Sequence, residues 1–168
     1  GDDNTVVYAG WDNTVQVWDI RTGNSVRSFY GPHVCGDALD ISGTEVVTGS
    51  WRPDSQLEVW DLGTGAKKAD IPWVAPGSLQ SFSGAPACML YCAQFSKEGT
   101  GKYIAGGGSG TNEAKVFDHS NGDELVGTIT GLSRGVFALD FSPDNEKIAI
   151  AGGDASIRIL SVGKKDDL

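Results

Sequence analysis

Apolar and polar residues alternate along many short stretches of this chain, and one such stretch occurs four times. Residues 14–20 read TVQVWDI, 56–62 QLEVWDL, 113–119 EAKVFDH and 155–161 ASIRILS. Period-two alternation marks a strand with one face in a core. Each copy ends on a bulky residue, Trp18, Trp60, Phe117 or Leu160, at intervals of 42, 57 and 43 residues. Two of these intervals match a repeating unit of ~40 to 45 residues, and the third matches the same unit carrying about fifteen more.

The remaining alternating runs complete each unit. Strands are expected at 5–10, 14–20 and 25–30; at 35–42, 45–50, 56–62 and 66–71; at 89–96, 102–106, 113–119 and 124–130; and at 135–142, 147–151 and 155–162. The pattern therefore predicts groups of three, four, four and three strands, 14 in all, joined by short turns. The first strands of the last three groups align as DALDIS, YCAQFS and FALDFS, with Ile41, Phe95 and Phe141 in one column. SPDN at 142–145 is a reverse-turn sequence, its proline preset for the second position. Twenty-four glycines among β-branched runs fit a strand-and-turn protein, since glycine takes the positive backbone angles of tight turns.

Composition narrows the function classes. A net charge of -9 leaves no basic stripe to neutralise nucleic-acid phosphates and opposes an anionic membrane surface. Three cysteines, Cys35, Cys88 and Cys92, are too few and odd for a disulfide framework, so a reducing, intracellular compartment is expected, the cytoplasm first, with the nucleus open. No apolar run is long enough to span a bilayer, and the GDDNT start does not read as a signal peptide.

The motifs that resemble sites of chemistry read better as structure. GGGSG at 106–110 lacks the following Lys-Ser or Lys-Thr of a phosphate loop and leads into a strand, so a flexible hairpin is expected there. Cys88 and Cys92 lack the paired spacing of a zinc motif and read as small buried side chains; no metal and no cofactor are expected. With two histidines, His33 and His119, and no nucleophile elbow, the chain is not expected to be an enzyme.

From about residue 5 to 162 the chain resembles the WD-repeat family of β-propellers, on the VWD endings at 17–19 and 59–61, the FSPD at 141–144 and the aspartates six residues before the bulky strand ends. The resemblance implies an all-β fold, a partial β-propeller of four-stranded antiparallel blades, a to d from the channel outward. The expected division is one array: blade 1 at 1–31, blade 2 at 32–72, an insertion at 73–87, blade 3 at 88–131, blade 4 at 132–163 and a tail at 164–168. It also implies a buried hydrogen-bonded tetrad in blade 2, from His33, Thr48, Asp54 and Trp60. Blade 1 keeps Asp12 and Trp18 but has Tyr8 at the hydroxyl position; blade 4 keeps Asp154 with Ile150 and Leu160.

Fourteen strands are half of a seven-bladed ring, and an open stack leaves strand edges unpaired. The simplest reading is the C-terminal half of a longer chain, with assembly of two copies, or of one copy with an N-terminal half-chain, as the alternative. In a propeller the b–c and d–a loops converge on one end, the top face, and here they carry Trp11, Trp51, Arg52 and Trp73. Asp37, Tyr91 and Phe137 are expected beside them, where strand a enters the channel. Trp, Tyr and Arg are the residue types that dominate binding hot spots. The expected function is a non-catalytic scaffold that binds a protein or peptide on this face. Its alternatives are an architectural subunit using the rims 25–30 and 66–71, or the regulatory part of an enzyme whose chemistry lies in an N-terminal half.

Overall fold

A computed structural model describes residues 4–78, 81, 84, 86–99 and 101–163; the expected tail at 164–168 and five positions of the expected insertion fall outside the described residues. The strands are β1 Thr5–Ala9, β2 Thr14–Asp19, β3 Asn24–Tyr30, β4 Leu39–Ser42, β5 Glu45–Gly49, β6 Leu57–Asp61, β7 Lys67–Ile71, β8 Met89–Phe95, β9 Tyr103–Ser109, β10 Ala114–Asp118, β11 Glu124–Ile129, β12 Val136–Phe141, β13 Lys147–Gly152 and β14 Ile157–Ser161. They form four antiparallel meanders, β1–β2–β3, β4 to β7, β8 to β11 and β12–β13–β14, which are blades 1 to 4. The fold is all-β, in the expected grouping of three, four, four and three strands.

Recurrent backbone devices follow from recurrent residues. In each blade a residue with left-handed backbone lies at the end of the b–c turn, just before strand c: Asn13, Ser55, Asn112 and Ala155, with φ between 45° and 60°. Asparagine tolerates this region best, because its short polar side chain can bond the local backbone. The c–d pairing then slips by one residue beside the bulky position, between Val17 and Trp18, Val59 and Trp60, and Val116 and Phe117. That bulge adds local twist to the outer strands.

The core lies between blades. Val47, Leu57 and Val59 of blade 2 meet Leu90, Ala93, Phe95 and Ile104 of blade 3 in one cluster. Cys92, Ala105 and Val116 of blade 3 meet Val136, Leu139, Phe141 and Ile150 of blade 4 in a second. Blade 1 joins through Phe29, which stacks on Trp60 with ring centres 4.9 Å apart, and through Arg27 Nη1, which donates to Leu62 O at 3.0 Å.

Two expectations about local structure are corrected. The strand expected at 35–42 begins only at Leu39; before it, Asp37 makes a single parallel bridge to Cys92 of the next blade. Most of the glycine run is not a hairpin: residues 106–109 are the end of β9, with Gly106 to Gly108 buried at the contact between blades, and Gly110 opens the exposed b–c turn. A Cβ on Gly107 would stand 2.6 Å from Val136 Cγ1, so this position must be glycine for blade 4 to close on blade 3.

A histidine clasps blades 2 and 3 at the end opposite the b–c turns. His119 Nδ1 lies 2.6 Å from Asp123 Oδ1 and Nε2 lies 3.0 Å from Glu45 Oε2. Carboxylates only accept, so both ring nitrogens donate and the imidazole is cationic. Burial opposes that charge, but the bonds to Asp123 and Glu45 outweigh it and raise the His119 pKa above 6.5. For Glu45, burial is again outweighed, by Lys68 and His119, and its pKa falls below 4.5. A raised histidine pKa stabilises the fold below the unfolded value and is lost as pH rises through the folded one; a depressed carboxyl pKa acts in the opposite sense. Resistance to urea should therefore be greatest between about pH 4.5 and 6.5 and drop by about 1–2 kcal/mol as pH rises through the folded His119 pKa. His119→Gln should flatten that alkaline drop; a drop that persists in the variant would assign it to another group.

Candidate functional site

Four of the seven residues expected on the top face come together through their rings. Trp11, in the b–c turn of blade 1, is 73% exposed; Trp51, in that of blade 2, is 38% exposed; and Phe137 of β12 is 46% exposed. Tyr91 of β8 is half-buried between them. Ring centres step from Trp11 to His33 at 5.9 Å, to Trp51 at 6.4 Å, to Tyr91 at 6.3 Å and to Phe137 at 4.9 Å. One aromatic track thus crosses all four blades.

Strand a delivers Tyr91 and Phe137 by a bulge. Leu90 pairs with Gly108 and Cys92 with Gly107, leaving Tyr91 unpaired; Val136 pairs with Gly152 and Ala138 with Ala151, leaving Phe137 unpaired. An extra residue in a strand re-aims its side chain, and here it turns both rings out of the inter-blade core. The Asp37 bridge to Cys92 sets Asp37 beside Tyr91, where its carboxylate accepts from Gln94 Nε2 at 3.3 Å.

Trp73 and Arg52 are corrected. Trp73 is 2% exposed, so it contributes nothing to a surface. Its Nε1 donates to Glu113 Oε1 at 2.7 Å, and Lys115 Nζ donates to its carbonyl at 2.5 Å and lies 5.2 Å from its ring centre. The residue that opens the insertion instead pins it to blade 3. Arg52 is spent on blades 1 and 2: it donates to Gly31 O at 2.5 Å, Asp54 O at 2.9 Å and Ser55 O at 3.2 Å, and pairs with Glu58 at 2.8 Å.

The tetrad is corrected too. Trp60 Nε1 donates to Thr48 Oγ1 at 2.9 Å, so one leg exists. His33 Nδ1 instead meets Asn13 Oδ1 of blade 1 at 2.7 Å, and Asp54 is exposed. The place of a carboxylate–imidazole relay is taken by Glu58, a buried strand-c carboxylate held by Arg52 and by Lys67 at 3.1 Å. Burial pushes the Glu58 carboxyl above its ordinary value, with Lys67 and Arg52 partly offsetting it. In blade 1 the Trp18 Nε1 has no partner among the described residues, because Tyr8 does not supply the hydroxyl that Thr48 supplies to Trp60.

Sequence reasoning missed His33 as a link in the ring track, and Glu58, Lys115 and Arg158 as anchors. For the three anchors the signal was present: Glu58, Lys115 and Arg158 each stand directly before the last apolar pair of strand c, on the same face as the bulky residue. Arg158 bonds Asp154 at 2.7 Å and Ser156 at 2.5 Å, as Glu58 and Lys115 bind their own upper loops. Cys88 and Cys92 are buried, and burial pushes the Cys92 thiol up to about 12. Among the described residues no group of three His, Cys, Asp or Glu side chains is placed to hold a metal ion.

Residues 123–161 match the family described as WD domain, G-beta repeat. These residues form one WD repeat. The matched WD repeat begins before β11, the outer strand of blade 3, and runs through β12, β13 and β14 of blade 4, so the repeat and the blade are out of phase. The chain is similar to protein tipD of Dictyostelium discoideum, 24% identical over 93% of the chain and 24% of the relative. A ribosome biogenesis protein WDR12 homolog of Aedes aegypti is 26% identical over 95% of the chain and 34% of the relative. The APC/C activator protein CDC20 of Saccharomyces cerevisiae is 22% identical over 91% and 25%. The chain thus spans about a quarter to a third of the length of these relatives. WD repeats in general are non-catalytic scaffolds that mediate protein–protein interactions.

The Arg52 network makes a test. Arg52→Ala strips a buried carboxylate of one of its two cations and should cost on the order of 2 kcal/mol, less than the 3–5 of a fully buried pair because Lys67 remains and Arg52 is partly exposed. The loss should shrink as pH falls through the folded Glu58 pKa, which lies above 4.5, since a protonated Glu58 needs no partner. Chemical denaturation across pH checks both; an unchanged midpoint would return Arg52 to the surface.

Proposed function

We propose that the chain is a non-catalytic interaction scaffold that binds a protein or peptide on the top face, through Trp11, Trp51, Tyr91, Phe137 and Asp37. The observation that carries this reading is the unbroken aromatic track, three of whose rings are well exposed. Rings held out of a packed core at a cost in exposed apolar area mark an interaction surface, and Trp and Tyr are the residues that anchor one. The names of the relatives, a ribosome biogenesis protein and an APC/C activator, support a place inside the cell. No helix among the described residues is long and apolar enough to cross a membrane.

The test compares three immobilised proteins for the partners they retain from cell extract. Trp51→Ala with Tyr91→Ala should abolish capture while circular dichroism and melting stay those of the parent chain. Ser28→Glu on the exposed rim strand β3 should capture normally. Loss of capture in the rim variant alone would favour the architectural reading.

The outer faces of the end blades support a second part of the proposal, that further blades complete the ring. Ile157 and Ile159 of β14 are 74% and 68% exposed, and Val6 and Tyr8 of β1 are 49% and 44% exposed. An apolar groove lined by Val126, Ile129, Ile148, Leu160 and Val162 runs beside the free edge of β14. Additional blades in the same longer chain are the simpler source; a second copy is the other. Native mass separates them, because a stable dimer of this chain would support the second copy, and a monomer that binds an exposed-hydrophobe dye would support the first.

A further inference from the structure

We propose that the top-face partner is a cationic segment, an extended stretch of chain bearing lysine or arginine at alternate positions. The inference rests on the top-face reading and adds the chemistry of what is read there. It starts from the charges around the track. Asp12 follows Trp11, Asp54 lies three residues beyond Trp51, and Asp37 is held beside Tyr91. Asp37 and Asp54 are exposed, as is Asp12, and among the described residues none of the three is in an ion pair.

The cations at this end are largely consumed. Arg52 is committed to Glu58 and three carbonyls, Arg158 to Asp154, and Lys115 is buried against Trp73. Lys67 is exposed but paired with Glu58 and Asp70, and Arg134, beside Phe137, is exposed as well. The face thus couples aromatic rings to unneutralised carboxylates in a chain of net charge -9. A guanidinium or ammonium satisfies both at once, because the face of a Trp or Tyr ring attracts a cation and a nearby carboxylate completes its hydrogen bonds. An acidic partner would meet repulsion on the same surface.

The spacing favours an extended segment. Successive rings stand 4.9–6.4 Å apart, and alternate side chains of an extended chain are about 6.8 Å apart, at roughly 3.4 Å per residue. Side chains on one edge of such a segment would meet successive rings as it crosses the four blades. Asp37, next to Tyr91 near the middle of the track, is where a central cation would be fixed.

Three synthetic hexapeptides test this on the whole chain: one alternating arginine and lysine with valine, one with glutamate at the charged positions, and one with norleucine there. Binding is read by tryptophan fluorescence and calorimetry. The cationic peptide should bind at least tenfold tighter than the other two and weaken several-fold between 50 and 300 mM salt. Asp37→Asn should weaken it several-fold and reduce the salt dependence, while Trp51→Ala with Tyr91→Ala should weaken it tenfold or more, both with unchanged circular dichroism. Equal binding of the norleucine peptide, still lost in the tryptophan–tyrosine variant, would overturn the cationic proposal and leave the top face standing. Cationic binding that ignores the aromatic variant would overturn the top-face reading with it, and so would the absence of cationic binding up to millimolar peptide together with undisturbed capture by that variant.

Discussion

Burial of one sheet against the next is the constraint on which everything else in this chain rests. A meander of three or four strands has two faces and no interior, so its apolar face is stable only when a neighbour covers it. Blade 3 is covered on both sides and supplies the middle of both core clusters, with Leu90 and Ile104 serving one and Cys92 and Val116 the other. The glycines of β9 belong to this constraint, since they let Val136 approach the backbone at the junction with blade 4. The surface rings follow from it as well: once strand a is committed to the inter-blade core, a bulge is the available way to turn Tyr91 and Phe137 outward.

Polar anchoring at the top of each blade uses one position with different chemistries. Glu58 receives an arginine from its own b–c turn, Lys115 reaches the carbonyl of Trp73, and Arg158 reaches back to Asp154. The first of these stiffens the turn that presents Trp51, so that ring sits on a preorganised support and little conformational entropy is left to lose when it binds. The carboxylate–imidazole relay implied by family resemblance is absent because His33 turns toward Asn13 and the aromatic track, while Arg52 draws the b–c turn of blade 2 onto Glu58.

The strands were legible because alternation and turn residues agree along the chain, and the bulky residues fell at repeat spacing. Where the reading failed, a tertiary contact overrode a local rule. GGGSG looks like a loop to any local criterion, yet β9 needs those glycines for close approach by blade 4. Trp73 and Arg52 are hot-spot types by composition, but a buried Glu113 and a buried Glu58 claim them. Trp11, Trp51, Tyr91 and Phe137 were each legible as top-face residues from their place in turns or at the start of strand a. Their union into one track was not, because it depends on His33 bridging Trp11 to Trp51 and on bulges whose only trace is a broken alternation.

The phase difference between the WD repeat and the blade has a consequence for how such arrays change in number. The unit at 123–161 carries the outer strand of one sheet and the three inner strands of the next. A copy spliced between two existing units would finish the sheet before it and have its own sheet finished by the unit after it. Gain or loss of a whole unit therefore leaves no interior sheet short of a strand, whereas a cut at a sheet boundary would fall inside a unit. The strand edges thus match for any inserted copy, while its apolar faces must still pack on both neighbours as those of blade 3 do.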